Sequence, residues 1–328
     1  MTPLCATDQV FIGKNVPITR LGLGVATQGG LFQAVSELEA RAVFQAAWEA
    51  GIRYFDTAPW YGFGSSEQRL GAFLQDKTGF RVSSKTGRLL SQDYPVHPSQ
   101  ATASFVTPSI LNVKYDYSYD ATMQSLEESL GRMKIPRIDI ALIHDPDSVG
   151  LTTQEVLSGS AKALFKLRDQ GVIGAVGAGM NQWQMPLELA QAAPFDVFLL
   201  AGRYTLLEQE SLPFMNYCAD NNLKILIGGV YNSGLLANPK PDAHYNYAPV
   251  PQAVLTRAMS LQRICLEYGV PLRSAALQFP FRHKAVANVI VAARDVKQLE
   301  DNLTMFNTPI PNELWAALSA SGLLEENE

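Results

Sequence analysis

Short, continuously apolar runs alternate with longer amphipathic segments along most of the chain. A run that is apolar at every position, rather than at every second one, is typical of a parallel strand buried on both faces. The segments between the runs repeat their apolar residues at helical spacing, as Val43, Ala46 and Ala47 do before Gly51 ends the first of them. This pattern predicts eight core strands, at residues 21–25, 52–55, 80–84, 138–143, 172–176, 197–200, 223–227 and 286–291.

Each predicted strand is followed by a predicted helix, and this alternation favours a closed barrel of parallel strands. We therefore expect an α/β fold, a (β/α)8 TIM barrel, to which residues 10–19 add an N-terminal β-hairpin. No Gly-x-Gly-x-x-Gly motif follows an early strand, which argues against a doubly wound dinucleotide-binding sheet. No change of composition marks a second domain, so we predict a single domain over residues 1–328.

Two segments interrupt the alternation. Residues 86–117 contain Pro95, Pro98 and Pro108 together with several aromatic residues, and residues 231–251 contain four more prolines. Loops of this length inside a compact chain are either functional or disordered. The aromatic residues of the first segment favour an ordered loop, and we expect both loops to lie over the C-terminal mouth of the barrel.

Composition excludes several classes of protein. Hydrophobic residues make up 47% of the 328 positions and charged residues 17%, as in a globular chain with a large core. A net charge of −5 without a Lys/Arg-rich run gives no sign of nucleic-acid binding, and no apolar stretch reaches the ~18 residues of a membrane span. The three cysteines are far apart and odd in number, and the N-terminus lacks the pattern of a signal peptide, so we expect a cytoplasmic protein. The sequence does not decide between a monomer and a homodimer.

Ionisable residues collect where the predicted strands end. In a βα barrel the catalytic groups lie at the C-terminal ends of the strands. Asp56 and Tyr61 follow the second strand, Lys85 follows the third and His144 follows the fourth. We therefore expect these four groups on one side of the mouth. No cluster of His, Cys or Asp has the spacing of metal ligands, so we expect no metal.

These four groups can move a proton at an oxygen atom. A phenol has a pKa near ~10 and is a poor base at neutral pH, but a neighbouring ammonium group such as Lys85 would lower that pKa. Asp56 would keep the lysine charged, and His144 can donate a hydrogen bond to a substrate oxygen. The set is suited to an alcohol or a carbonyl substrate.

Three short motifs carry a resemblance to a known family. FDTAPWYG (residues 55–62) with the Gly-Ser-Ser-Glu that follows it, SSK (83–85) and ALIHDPD (141–147) resemble the motifs of the aldo-keto reductase superfamily. The resemblance extends over nearly the whole chain. It implies that Tyr61 is the general acid/base, that Lys85 and Asp56 tune it, and that His144 orients the substrate oxygen. It also implies an extended nicotinamide dinucleotide, NAD(P), bound without a Rossmann fold.

The resemblance further implies a set of cofactor-binding positions. Asn181 corresponds to a residue that holds the nicotinamide carboxamide. Gly228 stands where the family has an aromatic residue stacked on the nicotinamide, and Tyr204 or Tyr231 could replace it. The glycines of residues 229–235 would let backbone N–H groups approach the pyrophosphate. The positions assigned to this loop are Gly229, Tyr231, Ser233, Gly234 and Leu235.

The C-terminal part resembles the family's clamp on the adenine ribose, which ends here at Asp301 and Asn302. Two basic residues that bind a 2′-phosphate in the family correspond to Ala292 and Gln298, and neither can pair with a phosphate. We therefore expect use of NAD. Arg294 lies close enough in sequence to oppose this expectation.

Within the superfamily, the chain looks most like sugar 1-dehydrogenases of the L-fucose, D-threo-aldose and L-galactose type, and like pyridoxal 4-dehydrogenases. That likeness rests on residues 115–133 and on the HDPD motif at 144–147. It implies oxidation of the C1 hydroxyl of an aldopyranose to a lactone, with Tyr61 as the base. Pyridoxal oxidation and a non-catalytic, cofactor-binding regulatory subunit are the alternatives, and the intact set of four groups argues against the latter.

Three residues are candidates for the wall of the substrate pocket: Trp60, Arg88 and Tyr115. Packing within the loops explains each of them about as well. We assign the other histidines, His97, His244 and His283, to loops or to a helix surface, because no ionisable group accompanies them in the sequence.

Overall fold

A computed structural model describes residues 4–101, 104–246 and 248–325. Eight parallel strands form a closed barrel, and helices surround it. The strands are β1 (Gln9–Ile12), β2 (Val16–Thr19), β3 (Leu21–Gly24), β4 (Tyr54–Asp56), β5 (Arg81–Thr86), β6 (Arg88–Ser91), β7 (Asn112–Tyr115), β8 (Ile140–His144), β9 (Ala175–Met180), β10 (Val197–Ala201), β11 (Lys224–Gly228), β12 (His244–Tyr245), β13 (Ala248–Pro249) and β14 (Val286–Ala292). The helices are α1 (Glu37–Glu49), α2 (Ser65–Leu74), α3 (Pro98–Ala101), α4 (Tyr119–Met133), α5 (Thr153–Val156), α6 (Lys162–Asp169), α7 (Gln184–Ala192), α8 (Leu212–Asp220), α9 (Gln252–Glu267), α10 (Leu272–Gln278), α11 (Val296–Asn307) and α12 (Asn312–Ala320).

The barrel follows the order β3-β4-β5-β8-β9-β10-β11-β14, and β14 pairs in parallel with β3 to close it. Each of these strands matches one predicted from the apolar runs. The predicted (β/α)8 TIM barrel is therefore confirmed. All C-terminal strand ends point to the same mouth, where a barrel of this kind carries its chemistry.

The predicted N-terminal hairpin is confirmed, because β1 and β2 pair in antiparallel fashion. Its side chains Ile12, Val16 and Ile18 are buried in one cluster with Tyr54 and Leu142. These last two belong to barrel strands, so the hairpin packs against the barrel interior.

The boundary of one barrel strand was predicted wrongly. We expected it to end at residue 176, with the glycines beyond it in a loop, but β9 continues through Gly177 and Gly179 to Met180. A Cβ on Gly177 would lie 2.2 Å from the carbonyl oxygen of Val197. The glycine therefore permits close approach of β10 within the sheet rather than marking a turn.

The start of α2 has no side-chain cap. Ser65 is its first helical residue, and the Ser65 hydroxyl has no partner among the described residues. The chain turns into this helix at Gly64, which has a left-handed φ of 89°. In contrast, α4 begins with a side-chain cap, because the Ser118 hydroxyl accepts a hydrogen bond from the N–H of Ala121.

The described parts of both interruptions contain regular structure, and order was predicted for the first of them. Within residues 86–101 and 104–117 lie the antiparallel pair β6–β7 and the short helix α3, and Phe105 bridges back to Leu31. Residues 231–251 begin with a turn and contain the small ladder β12–β13.

Two aromatic residues prove to be buried. His283, assigned to a loop or a helix surface, is buried, and its Nε2 lies 2.9 Å from Oδ1 of Asn216. Tyr204 is fully buried, with its ring 5.1 Å from that of Phe279. Packed in the core, Tyr204 offers no free face to a ligand, so it does not replace the missing aromatic residue at Gly228.

Candidate active site

A buried ion pair joins the ends of β4 and β5. Lys85 Nζ lies 2.7 Å from Oδ2 of Asp56 and also donates to the carbonyl of Thr57 at 2.9 Å. The side chains of Lys85 and Asp56 are only 2% and 5% exposed. A charge this deep is tolerated because its partner and its hydrogen bonds compensate for the lost water. The pair therefore holds the ammonium group in one place at the floor of the mouth.

A second set of hydrogen bonds fixes the carboxylate from the other side. Ser83 donates to Oδ1 of Asp56 at 2.6 Å, and the Ser83 hydroxyl lies 2.9 Å from that of Tyr54. All three residues are buried. We did not single out Ser83 or Tyr54 in the sequence, although SSK places Ser83 two positions before Lys85, on the same face of β5.

Tyr61 lies on the loop after β4, directly above this pair. Lys85 Nζ is 4.6 Å from the centre of the Tyr61 ring. Burial raises the pKa of Tyr61, and the positive charge of Lys85 opposes that increase without cancelling it. The net direction is thus opposite to the expected lowering, because the loss of hydration of the buried phenol outweighs the charge of Lys85, and the charge of Asp56 adds to the increase. Tyr61 holds its proton at neutral pH.

His144 is the last residue of β8, and its ring meets that of Tyr61 edge-on at 5.8 Å. Burial, followed by the charges of Arg88 and Lys85, holds the pKa of His144 well below its usual range. The imidazole is therefore neutral. Tyr117 donates a hydrogen bond to the backbone carbonyl of His144, while His144 Nδ1 is buried without a partner among the described residues.

A pocket of about 630 Å³ brings the predicted groups together. Tyr61, Lys85 and His144 line it, and Asp56 lies beneath Lys85. The three residues predicted for the substrate wall also line it: Trp60, Arg88 and Tyr115.

The loop over the mouth adds residues that the sequence did not single out. His97, Ser99 and Phe105 all line the same pocket. His97 was predicted to lie in a loop without a partner, but its ring lies 4.7 Å from that of Tyr115, and its Nδ1 lies 2.9 Å from the Ser99 hydroxyl. Only folding of this long loop places these residues at the site, so no short motif could have revealed them.

Asn181, the first residue after β9, is exposed at the edge of this pocket, with Nδ2 3.4 Å from Oδ1 of Asp145. On the far side of the barrel, Gly228 ends β11 and Gly229 begins a turn with a left-handed φ of 65°. Ser233 and Gly234 also have positive φ, at 58° and 91°.

The predicted pyrophosphate loop is tied down from within. Asn232 is buried, and its Oδ1 accepts a hydrogen bond from Thr205 at 2.7 Å. Leu235 is fully buried, and its N–H donates to the carbonyl of Asn232 at 3.2 Å, so its side chain belongs to the core. Tyr231 is half-buried, and its hydroxyl donates to Oδ1 of Asn302 at 3.2 Å. The loop and α11 therefore form one connected surface.

The remaining predicted residues lie where β14 leads into α11. Ala292 ends β14, and its carbonyl accepts a hydrogen bond from Asn302 at 3.1 Å. Gln298 is exposed and accepts from the N–H of Arg294 at 2.9 Å. Asp301 is paired with Arg273.

Comparison with known proteins identifies this architecture. Residues 20–322 match the aldo/keto reductase family. The chain belongs to the aldo/keto reductases. As a member of this family it is an oxidoreductase, and the family's enzymes use nicotinamide cofactors.

Two relatives illustrate this membership, and one solved structure illustrates the fold. D-threo-aldose 1-dehydrogenase from a Pseudomonas species is 39% identical over 98% of this chain and 99% of its own length. Pyridoxal 4-dehydrogenase from Microbacterium luteolum is 37% identical over 98% and 99%. The structure of aldo-keto reductase AKR11C1 from Bacillus halodurans, in its holo form, superposes with a TM-score of 0.77 at 21% identity and covers 97% of each chain. That last likeness concerns the fold alone.

The residues of this aldo/keto reductase fit a nicotinamide dinucleotide. His144 Nδ1 is a buried polar atom without a partner among the described residues, as expected beside a polar ligand. A Cβ on Gly228 would make only ordinary van der Waals contacts, 3.7 Å from Ala201 and Leu199, so no neighbouring atom crowds the end of β11. Gly229 and Gly234 give the turn the backbone freedom to approach a pyrophosphate.

A buried carboxylate behind the site was also missed. Glu67 is fully buried; it accepts a hydrogen bond from Ser84 at 2.8 Å and pairs with Arg132 at 2.6 Å. It belongs to the Gly-Ser-Ser-Glu stretch, so its position in the motif was visible in the sequence. Its partners were not, because α4 brings Arg132 from a distant part of the chain.

In residues 4–101, 104–246 and 248–325, no group of three or more His, Cys, Asp or Glu side chains could hold a metal ion. Within those same ranges, no helix is long and apolar enough to span a membrane.

Proposed function

We propose that this aldo/keto reductase is an NAD(P)-dependent aldose 1-dehydrogenase that oxidises the C1 hydroxyl of an aldopyranose to the lactone. The candidate sugars are of the L-fucose, D-arabinose or L-galactose type. The observation that carries the proposal is the convergence of Tyr61, Lys85 and His144 on one pocket, above the buried Lys85–Asp56 pair. The 39% identity of this chain to a D-threo-aldose 1-dehydrogenase supports the choice of substrate class.

Each of the four groups has one task in this proposal. Tyr61 accepts the proton of the C1 hydroxyl as general base. Lys85, held 4.6 Å from the Tyr61 ring by Asp56, stabilises the phenolate while it exists. His144 is neutral, so it can donate a hydrogen bond from one ring nitrogen to the reacting oxygen and orient it.

A bound nicotinamide cofactor would supply the hydride acceptor. Asn181 would hold its carboxamide, the turn from Gly229 to Leu235 would lie along its pyrophosphate, and Asp301 and Asn302 would contact its adenine ribose. The substrate would lie against the aromatic walls of the pocket. These walls include the rings of Trp60 and Tyr115.

We propose NAD rather than NADP as the better cofactor. Ala292 and Gln298 carry no charge, and the guanidinium of Arg294 is engaged by Gln33 and lies 3.7 Å from Asp295. A 2′-phosphate near this corner would therefore meet a carboxylate as well as a cation.

Pyridoxal is the second candidate substrate. The pocket offers aromatic walls to a flat ring, because Trp60 lies edge-on to Phe105 at 6.2 Å and tilted against Tyr115 at 6.4 Å. The pyridoxal 4-dehydrogenase relative is nearly as similar as the sugar enzyme. A non-catalytic regulatory role is disfavoured, because such a subunit would not need the complete set of four groups.

One screen tests the proposal. The purified protein is mixed with NAD or NADP and with L-fucose, D-arabinose, L-galactose or pyridoxal, and formation of the reduced cofactor is followed by its absorbance. We expect reduction with at least one sugar and a higher kcat/KM with NAD. Activity with pyridoxal alone would favour the second candidate, and no reduction with any of the four would refute the dehydrogenase assignment.

Three expectations accompany the proposal. We propose that residues 1–328 act as one domain, as a monomer or homodimer. Cys5, Cys218 and Cys265 are unpaired, which supports a reducing compartment and so a cytoplasmic location.

A further inference from the structure

Asp145 follows His144 directly, and no role has been assigned to it so far. Its carboxylate lines the same pocket as Tyr61 and His144. Oδ2 lies 3.0 Å from the guanidinium of Arg88 and 3.4 Å from Nε2 of His144, and Oδ1 lies 3.4 Å from Nδ2 of Asn181. One carboxylate thus contacts the proposed substrate, catalytic and cofactor residues together.

The backbone at Asp145 is unusual. Its φ of 44° is left-handed, a conformation that costs a residue with a side chain free energy unless its surroundings enforce it. The N–H of Asp145 donates to the carbonyl of Gly179 at 3.0 Å, and the Ser148 hydroxyl donates to the carbonyl of Asp145 at 2.6 Å. These bonds hold the turn that aims the carboxylate into the pocket.

Arg88 is equally constrained. Its side chain is 7% exposed and lies over the rings of Trp60 and Tyr115, at 5.1 and 5.3 Å from their centres. Its Nε is buried and has no partner among the described residues. A buried donor of this kind is costly unless a ligand satisfies it.

Together, Arg88 and Asp145 present donors and acceptors side by side. A carboxylate offers about four acceptor positions, and Arg88 and Asn181 account for two of those on Asp145. The two charges cancel, so the pair does not attract an anionic group such as a phosphate. This combination suits neutral, neighbouring hydroxyl groups.

We propose that the Arg88–Asp145 pair recognises the hydroxyl on the carbon next to the reacting one, and so selects sugars over simple alcohols and aldehydes. The inference rests on the proposed dehydrogenase function. His144 orients the C1 oxygen there, and Asp145 Oδ2 lies only 3.4 Å from Nε2 of that histidine. Two groups this close match two oxygens on neighbouring carbons. The C2 hydroxyl donates to the carboxylate of Asp145, which Arg88 holds in place from behind.

The test compares two substrates that differ by this one hydroxyl. D-arabinose and 2-deoxy-D-ribose are such a pair, and the best sugar of the screen with its 2-deoxy analogue serves equally. The kcat/KM ratio of the pair is measured for the wild type and for Asp145→Asn, each with saturating cofactor. We expect the preference for the 2-hydroxyl sugar to fall by at least about tenfold in the variant, because a hydrogen bond to a charged group is lost.

The ratio separates recognition from damage to the fold. A misfolded or misaligned variant loses activity with both substrates, which leaves their ratio unchanged. Asp145→Asn also leaves Arg88 buried without a counter-charge, so the double variant Arg88→Met with Asp145→Asn is tested in parallel and must lose the same preference. Asp147→Asn is the matched control: it makes the same chemical change two residues away, outside the lining of the pocket, and should keep the wild-type ratio.

Each outcome bears on the proposal. A fall of the ratio in both variants and not in the control supports it. An active wild type whose ratio stays within about twofold in both variants overturns the inference while leaving the dehydrogenase function intact. A wild type that oxidises no sugar overturns the proposed function and this inference together.

Discussion

The two sides of the barrel mouth are built differently. At β4, β5 and β8 the proposed catalytic groups stand on strand ends or within one loop of them, and Lys85 and Asp56 are almost fully buried. On the side of β11 and α11 the proposed cofactor residues are more exposed. Gly229 lies on the turn after β11, and Gln298 lies in the first turn of α11. Groups on strands are held by the sheet, whereas groups on loops can vary without disturbing it. Changes on the first side should therefore alter turnover and stability, and changes on the second should alter cofactor selectivity.

The largest effect on stability is expected for Asp56→Asn. It leaves the buried ammonium of Lys85 without a counter-charge, so the free energy of unfolding should fall by about 3–5 kcal/mol. It also removes the partner that positions Lys85 under Tyr61, so kcat should fall by about a hundredfold or more. Urea unfolding and steady-state kinetics measure the two effects. Unchanged values in both would show that the pair is not an organising element of the site.

Glu67→Gln is the matched control for that variant. It breaks another buried pair, with Arg132, on the outer side of the same strands. We expect a loss of about 3 kcal/mol in the free energy of unfolding but a kcat close to that of the wild type. If kcat falls as far as in Asp56→Asn, turnover depends on general rigidity rather than on the Lys85–Asp56 pair.

The pH dependence of oxidation should follow Tyr61. Burial raises the pKa of Tyr61, so its proton is present at neutral pH and the fraction of base grows as the pH rises. The kcat/KM for sugar oxidation should therefore increase from neutral to mildly alkaline pH. Reduction of the lactone or aldehyde needs the protonated phenol, so it should not increase over that range. An oxidation rate that is independent of pH over this range would contradict the role of Tyr61 as base.

The smallest effect is expected on the loop-built side. Gln298→Arg adds a guanidinium that can pair with a 2′-phosphate and offset the negative charge of Asp295. It should therefore raise kcat/KM with NADP several-fold relative to kcat/KM with NAD. Thr304→Arg adds the same charge farther along α11 and should leave the ratio unchanged. A wild type with a tenfold or larger preference for NADP would refute the prediction of NAD use.

The sequence predicted the barrel because each buried strand is a continuous apolar run, and this signal does not depend on distant contacts. It also placed Asp56, Lys85 and His144 at strand ends, since each directly follows or ends such a run. It failed at β9, where glycines that pack inside a sheet have the same letters as glycines in a turn. The direction of the pKa shift of Tyr61 was also predicted wrongly, because the burial of its phenol depends on tertiary packing and cannot be read from the sequence.

Contacts between distant segments could not be predicted at all. His97 meets Tyr115 across a long loop, and Arg132 meets Glu67 across two helices. Asp145 was visible in the HDPD motif. Its pairing with Arg88 was not, because it depends on where the chain places β6 after it leaves the barrel strand β5. These contacts arise from tertiary packing, which has no local pattern in the sequence.

The most direct test of the account is hydride transfer by Tyr61→Phe. The variant keeps the ring and its packing but removes the only atom proposed to accept the proton. Cofactor binding is measured by titration, and sugar oxidation by formation of reduced cofactor under saturating conditions. The account predicts wild-type cofactor affinity with a kcat lower by about three orders of magnitude. Turnover close to that of the wild type would contradict Tyr61 as the base, and with it the proposed chemistry of the site.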